Sequence, residues 1–280
     1  MNPLIKQINE QKVPPKQLHL WWIGQEGFVI KSQNLILYID PYLSTYAERI
    51  TKGHPSEHVR MCPPPMAPDE VANADIVLCT HDHADHIDPD GIPLIARSSP
   101  QAHFVVPAAA RQTMLNFGID ANRIHTLKGA DHLILRDIKV YGISAKHERF
   151  DYDPQQGCPY LSYIIQIEGQ TLLHAGDTIP YAGQVEKVNK HKIDLALIPI
   201  NGRDDFRHNL KFEGNFTCDE AVDFAGAIRA GLTIPMHYDM FTINTADVND
   251  FRKIAARKNL RYLVMEQAQS IGFPWEDKND

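Results

Sequence analysis

The chain has 280 residues, of which 43% are hydrophobic and 22% charged, with a formal net charge of −7. A chain of this size can bury a large core without disulfides. Its acidic balance argues against a nucleic-acid or anionic-membrane surface, which needs an excess of cations to displace counterions. The four cysteines, Cys62, Cys79, Cys158 and Cys218, form no C-x-x-C pair; scattered thiols suit a reducing compartment, and zinc-knuckle or dithiol motifs are excluded.

Residues 1–17 read as an N-terminal extension, with Leu4, Ile5 and Ile8 making one amphipathic turn that ends near Pro14-Pro15. No apolar run there is long enough for a signal peptide or a membrane span, so a cytoplasmic location is expected. Residues 18–23 and 28–31 predict strands around a Gly24/Gly27 turn, and 35–39 a buried strand ending at Asp40-Pro41. The adjacent Trp21 and Trp22 read as core packing. Residues 42–69 are irregular and rich in proline toward their end; a loop of that length is usually a lid or wall over a site, or an interface. Residues 74–80 predict a buried strand, 103–106 another, and 108–117 a helix stopped by Gly118. Four β segments follow at 133–135, 139–144, 160–167 and 171–175, with turns at Arg136-Asp137 and Glu168-Gly169. Strands at 194–200 and 232–236 flank a helix opening at Thr217, whose partner Glu220 completes a capping box. A helix over 246–258, a strand over 262–265 and a polar tail over 274–280 finish the chain. Runs of strands, each half closed by helices, predict one α/β domain over residues 1–280. Its architecture is an αββα sandwich of two packed mixed sheets with helices outside.

The chemistry concentrates in His81-Asp82-His83-Ala84-Asp85-His86, directly after the strand at 74–80. Side chains two apart in extended backbone share a face, so His81 and His83 can point together, while a turn at Asp85-His86 aims a second pair beside them. Imidazole and carboxylate donors suit Zn, Mn or Fe, and two such sets suit two neighbouring ions. Ligand sites tend to lie just past strand ends in α/β sheets.

The ordered H-x-H-x-D-H run resembles the signature of the metallo-β-lactamase superfamily. The family's other motifs match in order: Asp40 in Tyr38-Ile39-Asp40-Pro41, His147 in Ser144-Ala145-Lys146-His147-Glu148, Asp177 in His174-Ala175-Gly176-Asp177-Thr178, and His237 in Ile234-Pro235-Met236-His237-Tyr238. The resemblance covers roughly residues 18–273. It implies that His81, His83 and His147 hold one divalent ion, that Asp85, His86 and His237 hold a second, and that Asp177 bridges them. Glu148 and His174 compete for the place of His147. Asp40 is expected to support the histidine loop from behind. The cofactors implied are two divalent metal ions, Zn or Mn; a water they share loses its proton near neutral pH and attacks a carbonyl or phosphoryl centre. Asp85 and Asp177 are the catalytic candidates, Asp85 as a carrier of a proton to the leaving group.

Within the superfamily the closest likeness is to the L-ascorbate-6-phosphate lactonases, a branch associated with manganese. It rests on Trp21-Trp22-Ile23-Gly24 with Gly27, on Thr80-His81-Asp82-His83 with Asp85-His86-Ile87-Asp88, on Gly53-His54 with Met61 and Pro64, and on Pro235-Met236-His237-Tyr238-Asp239. Two features depart from that branch: the chain is shorter after Asp177, and the segment from Ser144 to Arg149 resembles the superfamily's general third motif. The expected substrate is a small molecule, a sugar-derived lactone with or without phosphate. Arg149, Arg203, Arg207, His208 and Lys211 are candidate anion anchors, and His54, Arg60 and Tyr160 candidate pocket residues. A phosphodiesterase acting on a small substrate is the alternative. A non-catalytic interaction module without metal ranks lower. A diiron redox protein is disfavoured because His83 stands where that branch carries glutamate. No nucleic acid or membrane partner is expected, and homo-oligomerisation stays open.

Overall fold

Hydrophobic runs bounded by turn residues build two sheets in the computed structural model, which describes residues 2–147, 150–212 and 214–275. The strands are β1 (Leu18–Gly24), β2 (Gly27–Lys31), β3 (Ile36–Ile39), β4 (Ile76–Leu78), β5 (His103–Pro107), β6 (Ile124–Leu127), β7 (His132–Leu135), β8 (Ile138–Ser144), β9 (Leu161–Ile167), β10 (Gln170–His174), β11 (Leu195–Pro199), β12 (Leu232–Met236) and β13 (Ser270–Phe273). One sheet has the order β13-β1-β2-β3-β4-β5-β6 and the other β12-β11-β10-β9-β8-β7. Both are mixed: β3 to β6 run parallel, as do β10 to β12, and the remaining pairs are antiparallel.

Alternation along the strands divides the core. Leu20, Trp22, Leu37, Ile39 and Leu78 point between the sheets and join Val140, Leu161, Tyr163 and Ile165. Their neighbours Trp21, Ile23, Val29, Tyr38 and Val77 point outward into a second cluster with Ile8, Ile95 and Met114. With both faces covered, the strands read as nearly continuous apolar runs. The two tryptophans are therefore core residues on opposite faces, 0% and 2% exposed.

The helices are α1 (Pro3–Glu10), α2 (Tyr46–Thr51), α3 (Ile92–Ser98), α4 (Arg111–Asn116), α5 (Gln184–Val188), α6 (Asp205–Asn209), α7 (Cys218–Ala227) and α8 (Val248–Arg257). Asn2 caps α1, accepting from Leu4 N at 2.8 Å, and the helix buries Leu4, Ile5 and Ile8 against the first sheet. Thr217 and Glu220 form the expected capping box at α7, whose Phe224 and Ala225 join Phe251 and Ala255 of α8 in the core. No helix among the described residues is long and apolar enough to cross a membrane.

Three expectations change. Residues 262–265 form no strand; Tyr262 makes only a single bridge to Thr233, after which the chain turns through Glu266–Gln269. The last strand is β13, which closes the far edge of the first sheet beside β1. The predicted extension, 1–17, contains a two-turn helix packed on the core rather than an isolated turn. Glu148, Arg149, Glu213 and the end of the tail, 276–280, lie outside the described residues.

Candidate metal centre

The strands converge at one edge of the sandwich. β3 ends at Asp40, β4 runs into His81, β8 leads to His147, β10 to Asp177 and β12 to His237. At this edge the sheets also join through backbone, with Leu161 N donating to Thr80 O at 3.0 Å. Gly176 sits at the junction with φ +59°, and a Cβ there would meet Leu161 O at 2.8 Å and Thr80 Cβ at 3.1 Å. Only glycine lets the loop of Asp177 come this close to the histidine run.

The potential ligand atoms of His81, His83, His147 and Asp177 lie within 4.8 Å of one another, and so do those of Asp85, His86 and His237. Asp177 stands between the two sets. Its Oδ2 is 3.4 Å from His147 Nε2, 3.7 Å from His86 Nε2 and 3.8 Å from His81 Nε2, and its Oδ1 is 3.6 Å from His237 Nε2. These are separations of donors that face a common point rather than each other. The Nε2 atoms of His81 and His86 are buried and have no hydrogen-bond partner. Their Nδ1 atoms are held from behind: His86 Nδ1 by Asp40 at 2.9 Å, and His81 Nδ1 against Thr80 Oγ1 at 3.1 Å. Likewise His147 Nδ1 meets Gly214 O at 3.0 Å. Fixing one ring nitrogen so that the other faces inward is how proteins preset imidazole ligands. The donor set fits divalent metal ions.

Electrostatics prepare three of the rings for that role. Burial pushes the imidazoles of His81, His83 and His237 below their ordinary pKa, leaving neutral rings with lone pairs to donate. Burial would raise the pKa of Asp177, but the surrounding imidazoles, His86 foremost, outweigh it and hold the carboxylate well below its usual range. His86 goes the other way: burial lowers it, yet Asp85, Asp177 and Asp40 together bring it up to about 10.

Asp40 lies behind the histidine run. Buried and in left-handed backbone (φ +40°), it accepts from Thr80 N at 2.8 Å, Thr80 Oγ1 at 2.7 Å and His86 Nδ1 at 2.9 Å. Asp88 does similar work one turn later, accepting from Leu43 N, Ser44 N and Ser44 Oγ, so the loop 42–69 starts pinned to the histidine run. His174, the competitor for the place of His147, instead faces the carbonyl of Glu26 at 2.8 Å and belongs to neither of the two sets around Asp177.

Sequence reasoning missed three residues. Asn215, fully buried, donates to Asp177 Oδ1 at 2.9 Å. Glu26 is fully buried with neither carboxyl oxygen partnered, 3.9 Å from His86 Nδ1. Burial, then the charges of Asp177 and Asp40, raise its pKa well above the carboxylate range. Gln25, also fully buried, donates to Asp85 Oδ2 at 2.8 Å. The available signal was the polar pair Gln25-Glu26 between two glycines at the tip of an otherwise apolar hairpin.

The proposed substrate residues separate. Tyr160 lies beside the centre, its ring 5.2–5.7 Å from those of His81, His83 and His147. Arg203, Arg207 and His208 line a cleft of about 320 Å³ that reaches Gly214 and Ile179, next to the centre. There Arg203 is held by both oxygens of Glu220, at 2.5 and 2.7 Å, and Arg207 by Asp204 at 2.6 Å. Arg60 is buried in the loop, donating to Glu48 and to Ser44 O and stacked on Tyr42 and Phe241. His54 and Lys211 are exposed, and among the described residues no contact joins either to the centre. Arg149 lies outside the described residues.

Residues 37–238, most of the chain, match the beta-lactamase superfamily domain. The chain belongs to this superfamily. By family and fold it is a metal-dependent hydrolase. Among superfamily relatives it is 26% identical over 259 residues to a metal-dependent hydrolase of Methanosarcina mazei, covering 91% of this chain and 98% of that one. It is 23% identical over 310 residues to a probable L-ascorbate-6-phosphate lactonase, UlaG, of Escherichia coli, covering 97% and 85%. The metallo hydrolase Igni18 from Ignicoccus hospitalis shares the superfamily fold at a TM-score of 0.67 and 21% identity, covering 93% of this chain and all of that one. An isothiocyanate hydrolase from Delia radicum gut bacteria superposes at 0.72 with 15% identity, covering 90% and 98%.

Proposed function

We propose that this hydrolase works with two divalent metal ions, Zn or Mn, and opens a small sugar-derived lactone, phosphorylated or not. The observation that carries the two-ion reading is the position of Asp177 between the two donor sets, with Oδ2 3.4–3.8 Å from His147 and His81 of the first and His86 of the second, and Oδ1 3.6 Å from His237 of the second. The lactone reading is supported by the relative named as a probable lactonase, which matches nearly the whole chain.

His81, His83 and His147 would hold one ion, Asp85, His86 and His237 the other, and Asp177 both. Bound ions of this kind supply Lewis acidity toward a carbonyl and bring the pKa of water toward neutrality. The chain's own residues do the rest. Asp85, with 22% of its side chain exposed, is the ligand-set carboxylate nearest solvent and would carry a proton to the leaving alkoxide. Tyr160 forms an apolar wall over three of the imidazoles. Arg203 and Arg207 would anchor an anionic substituent in the neighbouring cleft, since a guanidinium paired with one carboxylate keeps further donors.

The test is a kinetic panel on protein loaded with Mn or Zn: sugar lactones with and without phosphate, thioesters and a chromogenic phosphodiester. Lactone turnover ahead of the others supports the reading. Preferential phosphodiester cleavage by the same centre would replace it with the phosphodiesterase alternative.

A further inference from the structure

The β1–β2 turn carries a residue that neither donor set includes. Gln25 has left-handed backbone (φ +53°), which costs a residue with a Cβ on the order of 1 kcal/mol or more and persists only where the surroundings enforce it. They do: the Gln25 carbonyl accepts from Trp22 Nε1 at 3.0 Å and from His237 N at 2.9 Å. That clamp ties the turn to the backbone of His237, which is itself left-handed at φ +62°. The clamp aims the side chain inward, where it is fully buried.

The amide nitrogen of that side chain donates to Asp85 Oδ2 at 2.8 Å and lies 3.2 Å from His237 Nε2. Both atoms belong to the second donor set. Neighbouring ligands of one octahedral ion with bonds of about 2.1 Å stand roughly 3 Å apart, so the amide occupies the place of a third vertex beside Asp85 and His237. Its oxygen is buried and has no hydrogen-bond partner. The terminal torsion of glutamine is broad and roughly two-fold, so a half-turn exchanges amide nitrogen for oxygen without moving the chain.

We propose that Gln25 is a further ligand of the second metal position, supplying its neutral amide oxygen beside Asp85, His86 and His237. The inference rests on the two-ion reading and sharpens it. An added hard oxygen raises the coordination number and favours Mn over Zn at that position, because Zn is satisfied by four ligands.

Equilibrium binding of Mn and Zn to the full chain, with bound metal counted per protein, tests this without reference to activity. Gln25→Gly keeps the left-handed backbone free of strain while removing the amide, and Gln25→Glu keeps an oxygen in place. The wild type should bind two ions. In Gln25→Gly one Mn should weaken by roughly 10–100-fold, the size seen when groups that order a metal site are removed. The other ion should stay within about threefold, and Zn should suffer less than Mn. Gln25→Glu should restore the weakened site. Two ions in the wild type, bound equally well by Gln25→Gly, overturn the assignment of Gln25 alone. A single ion in the wild type overturns the two-ion reading and the second position together with it.

Discussion

The floor of the site and its rim are built on different terms. On the floor, buried imidazoles and carboxylates stand at strand ends, with the Nε2 atoms of His81 and His86 unpartnered and the far nitrogens of His86, His81 and His147 held by Asp40, Thr80 and Gly214. At the rim, in the loop 42–69 and the segment 201–215, charges are abundant but committed: Arg60 to Glu48, Arg203 to Glu220, Arg207 to Asp204. Unpartnered polar atoms in a dry interior are costly and persist where something else satisfies them. Paired charges at a surface need no ligand. The floor is thus the candidate for the chemistry, and the rim arginines have a structural task first.

The largest effects should come from the floor. Replacing Asp177 or His83 by Ala, or stripping metal with a chelator, should lower turnover by at least about 10³-fold, since a hydrolytic centre without its ions loses both nucleophile and Lewis acid. Circular dichroism should show the fold retained. Full turnover in either variant would sink the centre. Next, Asp40→Asn should weaken metal binding by roughly 10–100-fold, because the amide no longer matches both Thr80 and His86. Equilibrium dialysis reads this directly, and wild-type affinity would remove Asp40 from its supporting role.

The rim should respond in stability rather than chemistry. Arg60→Ala removes the guanidinium packed on Tyr42 and Phe241 and leaves Glu48 with the Tyr42 hydroxyl as its remaining partner, and should cost roughly 1–3 kcal/mol in unfolding free energy. Unchanged stability with a raised KM would instead make Arg60 a substrate anchor.

A finer comparison uses pH. The pKa of His86 is raised from the ordinary 6.5 to about 10, so its contribution to the stability of chelator-treated protein is complete below about 6.5 and is lost as pH climbs through about 10. Thermal unfolding in chelator should decline across that window, and His86→Gln should flatten the decline. A wild-type profile that rises instead would refute the charge assignment. The smallest effect belongs to the exposed pair: Arg203→Gln should change stability by no more than about 1 kcal/mol. It should raise KM for a phosphorylated lactone several-fold while leaving the unphosphorylated one unchanged; equal KM shifts for both would exclude Arg203 as a phosphate anchor.

Most strands were legible because burial on both faces leaves continuous apolar runs ended by Gly, Pro or Asp, and α7 because Thr217 and Glu220 form a local cap. Shorter elements such as α3, α5, α6 and β6 carry no sequence signal of their own, since segments of so few residues are fixed by what they pack on rather than by their own periodicity. The segment 262–265 has strand composition yet lies past the edge of β12 with one bridge, while the less apolar β13 is the one that finds a partner in β1.

Sequence alone determined which side chains are the candidates for the chemistry: an ordered run of histidines and aspartates, with His147, Asp177 and His237 following strands in turn. What the tertiary structure decided is who stands beside them. Gln25, Glu26 and Asn215 enter the centre only because a hairpin tip and a distant loop fold over the strand ends, and Arg60 and Arg203 are claimed by Glu48 and Glu220. Ligand type and spacing are local properties that a chain displays openly. Partnership between residues far apart depends on which surfaces the packed sheets bring together, and no local pattern encodes that.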